Sequence, residues 1–375
     1  MRARDAAGPT PSGLGMIRDI TMYRIAVSPR TSWLVLAVSD RAGVTGLGEC
    51  SDAGDEGLVE ATLSAWWPAL RSRDALAEQD AVLEGLADRV TGLPEATVLG
   101  GLDQALSDLV ARREGVPLWK WLGGSDPGAV DVYANINRAP GGREPGEVAS
   151  VARAAVAAGF RAVKLAPFDV PGSGPLAEVG LARVRAVRAA VGDDVDVMVD
   201  CHERLSLDDL DPILAPLADL GLFWLEDAVG IDRVEELRQL RSRTPLRLAG
   251  GEFAFAPGDI APAVEAGVVD VLMPDVKHAG GLRRALALAR VGAGTEVSLH
   301  NPCGPVATAA SAHLTAACPG AIALEYAFGE VGWRADLVGG AERITDGRLA
   351  IPPGPGLGLD LDKRLPSVTA VWSTR

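Results

Sequence analysis

Six polar residues recur in the second half of the chain at a nearly constant interval. They are Asp200, Glu226, Glu252, Asp275, His300 and Glu325. The intervals between them are 26, 26, 23, 25 and 25 residues, and each residue lies at the end of a short apolar run. One strand followed by one helix has about this length in a parallel α/β protein. The repeat therefore predicts that the six side chains lie at the same end of successive strands.

The first three of these residues, Asp200, Glu226 and Glu252, are carboxylic acids. Three carboxylates that converge in a partly buried site repel one another, and a hard divalent cation relieves that repulsion. Oxygen ligands suit Mg²⁺, with Mn²⁺ as an alternative. A single acidic residue at a strand end is equally well explained as a helix cap or a solvated loop residue. Three at matched spacing favour a metal site.

The next three residues carry acid–base chemistry. Asp275 and His300 end neighbouring runs, and a carboxylate beside an imidazole fixes its tautomer and raises its basicity. A lone histidine is more often satisfied by a backbone carbonyl, so the general-base hypothesis rests on the pair. Glu325 ends the last run, where we expect a protonated acid that donates a hydrogen bond to developing negative charge.

Two further residues lie close to this repeat. His202 follows Asp200 by two positions, and both side chains point to the same side if the strand geometry persists. His202 is then a candidate general acid, the alternative being an ordinary loop residue. Lys164 ends an earlier apolar run in a chain where only four of the 36 basic residues are lysines. We expect it to bind a substrate carboxylate.

Other candidate substrate contacts lie in the same loops and near the N-terminus. They are Lys277, His278, Asn135, Asn137, Arg30 and Trp33. Lys277 and His278 are as well explained by packing of their own loop. Substrate identity is expected to depend on residues 49–54 and on the loop PFDVPGSGPL (167–176), because the interval from Lys164 to Asp200 is longer than the others.

Eight apolar, strand-like runs must position these residues. They span residues 130–136, 161–166, 195–200, 222–227, 246–252, 268–275, 296–300 and 321–326. Amphipathic helical stretches separate them, which indicates parallel βαβ units. Eight such units favour a closed (β/α)8-type barrel over an open doubly wound sheet. Residues 17–50 predict a pair of strands and residues 58–122 predict helices, so the first third is an α+β unit. The Gly/Pro-rich segment after Tyr326 is expected to return to this unit and help cover the barrel mouth.

Composition excludes several classes of protein. The 375 residues include 50 acidic and 36 basic side chains, for a formal charge of −14. This acidity disfavours binding to nucleic acid. The four separated cysteines form no CxxC pair and are typical of free thiols, and no apolar run is long enough for a membrane span. We expect a cytoplasmic protein without a membrane partner, in which residues 1–15 form a flexible tail.

Nine motifs in a fixed order carry a resemblance to a known family. They are TGLGEC, ALSDLVARREGVPLWKWLGG, VMVDCHERLS, WLEDAV, GGEFAF, MPDVKHAGG, SLHNPCGP, LEYAFGE and PPGPGLGLDL. Together they resemble the enolase superfamily, in its mandelate racemase-like branch. The resemblance implies an α/β fold, a modified TIM barrel (β/α)7β with an α+β capping domain. We place the cap at residues 16–125, completed by 330–375, and the barrel at residues 126–329.

The resemblance also implies roles for the repeated residues. Asp200, Glu226 and Glu252 become ligands of one Mg²⁺ per subunit. The pair Asp275–His300 removes the proton α to a carboxylate, and Glu325 steadies the resulting enediolate. The sequence DCHER is similar to acid-sugar dehydratases of the galactonate type, in which a histidine at this place protonates the departing β-hydroxyl.

One departure from the family pattern narrows the expected reaction. Relatives that racemise carry K-x-K at the end of the second strand, whereas this chain has Lys164-Leu165-Ala166. We therefore expect a Mg²⁺-dependent dehydratase that converts a polyhydroxy carboxylate to a 2-keto-3-deoxy acid. A racemase, epimerase or cycloisomerase with the same first step is one alternative, and a non-catalytic barrel that binds a metal or ligand is another. A homo-oligomer is expected.

Overall fold

The computed structural model describes residues 15–29, 31–292 and 294–374. Arg30, one of the candidate substrate contacts, lies outside the described residues. So does the expected tail at residues 1–15, apart from Gly15.

Strands and helices alternate along most of the chain. The strands are β1 (Ile17–Ser28), β2 (Thr31–Asp40), β3 (Thr45–Glu49), β4 (Ala129–Asn135), β5 (Ala162–Leu165), β6 (Asp196–Asp200), β7 (Trp224–Glu226), β8 (Leu248–Gly250), β9 (Val271–Leu272), β10 (Glu296–Leu299), β11 (Ala321–Ala327), β12 (Ile344–Thr345), β13 (Arg348–Ala350) and β14 (Val368–Ser373). The helices are α1 (Glu56–Leu70), α2 (Ala75–Ala87), α3 (Leu93–Glu114), α4 (Leu118–Trp121), α5 (Pro145–Ala157), α6 (Leu176–Val191), α7 (Leu207–Asp219), α8 (Val234–Arg243), α9 (Pro257–Glu265), α10 (Leu282–Val291) and α11 (Pro305–Ala317), with a 3₁₀ turn at Ala335–Val338. None of the helices in these described ranges is long and apolar enough to cross a membrane.

The eight strands from β4 to β11 form a closed parallel barrel. Each strand pairs with the next, and β11 pairs in parallel with β4 to close the ring. Each of the eight predicted apolar runs overlaps one of these strands. The barrel is therefore confirmed, and the open sheet is excluded. Because the strands are parallel, their carboxyl ends all lie at one mouth.

A separate antiparallel sheet forms the cap, in the order β14-β1-β2-β3. The pair of strands expected in residues 17–50 is thus joined by β3 and by the C-terminal β14. Helix α3 packs directly on β3, because Gly46 and Gly48 lack side chains. A Cβ atom at either position would lie 2.0 Å from a backbone oxygen of α3. This close packing fixes the end of β3, where Glu49 begins the loop toward the barrel.

Two buried carboxylates of the cap hold the starts of two barrel helices. Asp103 of α3 accepts a hydrogen bond of 2.5 Å from the backbone N–H of Leu282, the first residue of α10. Glu49 accepts hydrogen bonds from the backbone N–H groups of Gly304 and Ala307, at 2.7 and 2.9 Å, where α11 begins. A carboxylate at a helix N-terminus satisfies free N–H groups and compensates the helix dipole. The cap is thereby fixed to the barrel units that follow β9 and β10.

The C-terminal segment serves both ends of the barrel. It returns to the cap, where β14 pairs with β1, as expected. The hairpin of β12 and β13 instead pairs with residues 129–131 at the amino end of β4, which is the end opposite the mouth. Around Arg334 the segment lies beside the loop after β10, where the guanidinium donates to the backbone oxygen of Cys303.

Candidate active site

Three carboxylates converge at the mouth of the barrel. Asp200 and Glu226 end β6 and β7, and Glu252 lies two residues after β8. One oxygen atom from each lies within 4.8 Å of the others, and all three residues are buried. Burial and repulsion from Asp200 raise the pKa of Glu226. Burial, followed by repulsion from Asp227 and Asp200, raises the pKa of Glu252. Glu252 Oε2 is buried and has no hydrogen-bond partner. This acceptor-only set fits a hard divalent cation.

Lys164 lies among these carboxylates. Its Nζ atom is 2.5 Å from Glu226, 2.9 Å from Glu325 and 3.4 Å from Asp200. Burial would lower the pKa of Lys164, but Glu226 and Glu325 raise it well above its usual value. The ammonium group therefore neutralises part of the negative charge of these carboxylates. It is fully buried and does not line the cavity at the mouth.

The second constellation is the pair of His300 and Asp275. His300 Nδ1 lies 2.9 Å from Asp275 Oδ2, and the opposite ring nitrogen, Nε2, lies 3.2 Å from Glu252. The Asp275 carboxylate also accepts bonds from the Nζ atom and the backbone N–H of Lys277. Burial would raise the pKa of Asp275, but the charges of His278 and Lys277 hold it well below its usual value. The carboxylate is thus ionised, and His300 is buried except where its ring lines the cavity at the mouth.

Two expectations about neighbouring residues need correction. Lys277 was a candidate substrate contact, but its ammonium group is fully buried on Asp275. Glu325 was expected to be a protonated donor. Burial raises its pKa, but the charges of Lys164 and His300 outweigh burial and lower it overall. Glu325 instead accepts hydrogen bonds from Asn135 at 2.6 Å and from the backbone N–H of Asn301 at 2.9 Å.

His202 reaches the same mouth by an unexpected route. The strand ends at Asp200, and His202 and Glu203 take left-handed backbone conformations with φ of 44° and 53°. The strand geometry that the sequence suggested does not persist. The turn nevertheless brings His202 Nε2 to 3.0 Å from Asp200, while Nδ1 lies 2.8 Å from Asp169. Burial would lower the pKa of His202, but bonds to Asp169 and Asp200 raise it to about 11.

An open cavity of about 430 Å³ lies between the two histidines. It is lined by Asp52, Gly54, Leu93, Asn135, Asn137, Arg138, Asp169, Asp200, His202, Arg204, Glu252, Phe253, His278, His300 and Pro302. Three of the candidate substrate contacts, Asn135, Asn137 and His278, therefore line the same cavity as the candidate acid His202 and the candidate base His300. Burial lowers the pKa of His278 to about 4, and neither of its ring nitrogens has a hydrogen-bond partner.

Trp33 does not reach this cavity. It lies under the guanidinium of Arg334, 5.1 Å from the ring centre, and lines a smaller neighbouring cavity between the cap and the barrel. The sequence reasoning missed two polar residues of the wall, Arg138 and Arg204, and it named the loop of Asp169 without assigning that residue a role. Arg138 directly follows the Asn135–Asn137 stretch, and Arg204 lies in DCHER, so position beside a predicted site was the available signal for both.

The sequence matches two family models that together span most of the chain. Residues 17–123 match the mandelate racemase / muconate lactonizing enzyme N-terminal domain, and residues 147–365 match the enolase C-terminal domain-like family. The chain belongs to the enolase superfamily, in its mandelate racemase-like branch. The modified barrel with a capping domain is the fold of this superfamily, so the resemblance seen in the nine motifs is confirmed.

Three curated relatives of this chain are all named as dehydratases of sugar acids. D-galactonate dehydratase from Ralstonia pickettii is 30% identical, with 93% of each chain covered. D-xylonate dehydratase from Haloferax volcanii is 29% identical, covering 93% of this chain and 88% of the relative. D-gluconate dehydratase from Thermoproteus tenax is 34% identical over 72% of this chain and 55% of the relative.

Solved structures with similar folds are more distant in sequence. A member of the enolase superfamily from Salmonella Typhimurium superimposes with a TM-score of 0.85 at 21% identity, over 96% of this chain and all of that one. A mandelate racemase/muconate lactonizing enzyme from a Jannaschia species gives 0.82 at 23% identity, over 92% and 95% of the two chains. At these identities the likeness supports the fold alone.

Proposed function

We propose that this protein is a Mg²⁺-dependent hydro-lyase that dehydrates a polyhydroxy carboxylate, an acid sugar, to a 2-keto-3-deoxy acid. The observation that carries the proposal is the placement of two histidines across one cavity. His202 follows β6 and His300 follows β10, which lie four strands apart in an eight-stranded barrel and therefore on opposite sides. Each histidine faces a different carboxylate of the acidic triad.

His300 is the general base in this proposal. Its Nδ1–H is held by Asp275, so Nε2 is free to accept the α-proton of the substrate. The negative charge that develops on the substrate carboxylate needs cations nearby, because an unactivated α-proton is very weakly acidic. Lys164 supplies one positive charge within the cluster, and its ion pair with Glu325 holds the ammonium group in place.

Asp200, Glu226 and Glu252 would hold the Mg²⁺ ion. When bound, the ion supplies a Lewis acid that withdraws electron density from the substrate carboxylate and makes the α-proton more acidic. The donor set supports this assignment, because the three carboxylates are buried and close together and one of their oxygens has no hydrogen-bond partner.

His202 is the general acid in the second step. It gives its Nε2 proton to the β-hydroxyl, which leaves as water, and the enol product then tautomerises to the keto acid. A two-base racemisation is disfavoured, because Ala166 occupies the place of the second lysine of K-x-K and cannot accept a proton. Arg138 and Arg204 on the cavity wall supply donors for a polyhydroxylated substrate.

The test is a screen of aldonates, including galactonate, gluconate and xylonate, and of aldarates with Mg²⁺, assayed for 2-keto acid. We expect at least one substrate, with activity lost in EDTA and restored by Mg²⁺. Glu252→Gln should abolish product formation, whereas Glu265→Gln, exposed at the end of α9, should not. Exchange of the α-proton in D₂O without keto acid would instead indicate an epimerase or cycloisomerase. Mg²⁺ binding without any exchange would indicate a non-catalytic barrel.

A further inference from the structure

The loop between β5 and α6 brings a carboxylate to the imidazole of His202. Asp169 Oδ1 lies 2.8 Å from His202 Nδ1, on the side of the ring away from Asp200. We propose that Asp169 is a positioning residue for the general acid: it holds the proton of Nδ1 in a hydrogen bond, so that Nε2 delivers its proton to the leaving hydroxyl. This inference rests on the proposed dehydration.

The backbone on both sides of Asp169 is held firmly. Phe168 is 1% exposed and lies against Gly180 of α6, where a Cβ atom would come within 2.1 Å of its ring. Arg183, also on α6, is 3% exposed and donates to the backbone oxygens of Pro167 and Val170 at 2.6 Å. These contacts fix the loop before and after the carboxylate. Asp169 is therefore presented to the cavity by a rigid support, as a positioning residue requires.

Arg183 also ties this loop to its neighbour. Its Nε atom donates to the backbone oxygen of Arg143, at 2.6 Å, in the segment that follows β4. A buried guanidinium that satisfies three carbonyl groups from two segments makes the position of the loop independent of the substrate. The loop thus has one side packed on α6 and the carboxylate of Asp169 on the other side.

The proton balance explains why the second partner is needed. In the elimination the Nε2–H bond of His202 breaks, an O–H bond to the leaving hydroxyl forms and the C–O bond breaks. The electron pair of the enediolate becomes the C=C bond of the enol. After transfer His202 is neutral, and its remaining proton must be on Nδ1, where Asp169 accepts the hydrogen bond. A neutral ring whose single proton is on Nε2 is not an effective acid, because giving up that proton would leave an imidazolate anion.

Arg204 shares the same carboxylate oxygen, with its Nε atom 3.4 Å from Asp169 Oδ1. The guanidinium limits rotation of the carboxylate toward the cavity. Asp169 is therefore held between a cation of the turn after β6 and the ring that it orients. The arrangement repeats, on the other side of the cavity, what Asp275 does for His300.

The experiment compares the two half-reactions in the Mg²⁺-loaded enzyme with a substrate found by the screen. For Asp169→Asn we expect dehydration to fall by roughly 10- to 100-fold, less than the roughly 10²–10⁴-fold contribution of a general acid, because His202 itself remains. Exchange of the α-proton with D₂O should stay within about twofold, because the base is untouched. Asp169→Glu should restore part of the dehydration. In ¹⁵N-histidine NMR spectra, the Nδ1–H signal of His202 should be lost in Asp169→Asn and kept in the wild type.

The matched control is Asp131→Asn, the same change at an exposed residue at the opposite end of β4. It should leave both half-reactions unchanged. Equal loss of exchange and dehydration in Asp169→Asn would contradict the inference, as would unchanged dehydration alongside a defective His202→Asn. If His202→Asn also dehydrates normally, the acid role of His202 is wrong and this inference fails with it. If the wild type dehydrates no acid, the proposed function itself fails.

Discussion

The two histidine–carboxylate pairs differ in where the fold places them. Asp275 and His300 lie at the ends of adjacent barrel strands, with side chains that are 0% and 6% exposed. Asp169 and His202 lie on a loop and a turn, with side chains that are 33% and 32% exposed. Asp275 is also bonded to Lys277, whereas Asp169 has only an exposed arginine as a further partner. The proposed base is part of the barrel core, and the proposed acid lies at its rim.

The largest effect should follow loss of the buried base. For His300→Asn we expect both exchange of the α-proton and dehydration to fall by about 10³-fold or more, because the same nitrogen begins both reactions. His202→Asn should lose only dehydration. NMR detection of deuterium at the α-carbon, beside an assay for keto acid, measures the two reactions. Exchange that survives in His300→Asn would place the base elsewhere.

Loss of the buried carboxylate should damage both stability and activity. Asp275→Asn leaves Lys277 charged and fully buried without its partner, which costs about 3–5 kcal/mol of unfolding free energy. Dehydration should fall by about 10²-fold because the tautomer of His300 is no longer fixed. Urea denaturation measures the first effect. The double variant Asp275→Asn with Lys277→Met should recover stability but not activity, and failure to recover would show that the ion pair is not the cause.

His313 gives a contrast to both pairs, because it is buried and its hydrogen-bond partners are backbone groups of Trp119 and Leu357. It accepts a hydrogen bond from the backbone N–H of Trp119 through Nδ1, and burial lowers its pKa from 6.5 to about 4. Between these values the unfolded state binds the proton and the folded state does not, so stability rises with pH. Acidification from pH 7 to 4 should therefore remove about 3 kcal/mol through this residue.

A variant isolates the contribution of His313. His313→Asn keeps an acceptor for Trp119 but cannot titrate, so its unfolding free energy should fall less steeply between pH 7 and 4. Urea denaturation at several pH values compares it with the wild type. Parallel pH profiles for the two proteins would show that His313 is not the titrating group.

The smallest effect should be that of the rim carboxylate on stability. Asp169→Asn removes a carboxylate whose side chain is 33% exposed. We expect the free energy of unfolding to change by no more than about 0.5 kcal/mol. Thermal and urea unfolding measure this. A loss close to that of Asp275→Asn would mean that both pairs are structural, and the contrast between core and rim would disappear.

The sequence was sufficient to predict the barrel and the polar residues at the ends of its strands. Each buried strand is an apolar run closed by a polar residue, and parallel pairing forces those residues to one mouth. Asp275 and His300 were predicted for this reason. The loop of Asp169 was named as a determinant of substrate identity, but the place of Asp169 beside His202 was not predicted, because it depends on Arg183 and Gly180, which act through tertiary contacts that leave no local pattern.

The directions of the long buried side chains were also not predictable from the sequence. Lys277 follows Asp275 by two residues, and nothing in the local pattern indicates that its ammonium group turns back onto that carboxylate. The ionised state of Glu325 depends on the reach of Lys164 from another strand. Both outcomes depend on long side chains whose direction is set by buried charges, so residue type and spacing alone predicted the cluster but not its internal pairing.

The contacts of Glu49 and Asp103 with the starts of α11 and α10 have a consequence for how this architecture diversifies. Those helices follow the strands that lead to His300 and Asp275, so a change in the cap is transmitted to the segment that carries the base. The loop of Asp169 is fixed instead by α6 and by the segment after β4. A change in the loop of Asp169 can therefore leave the contacts of the cap with α10 and α11 intact, whereas a change in the cap acts on the segments beside Asp275 and His300.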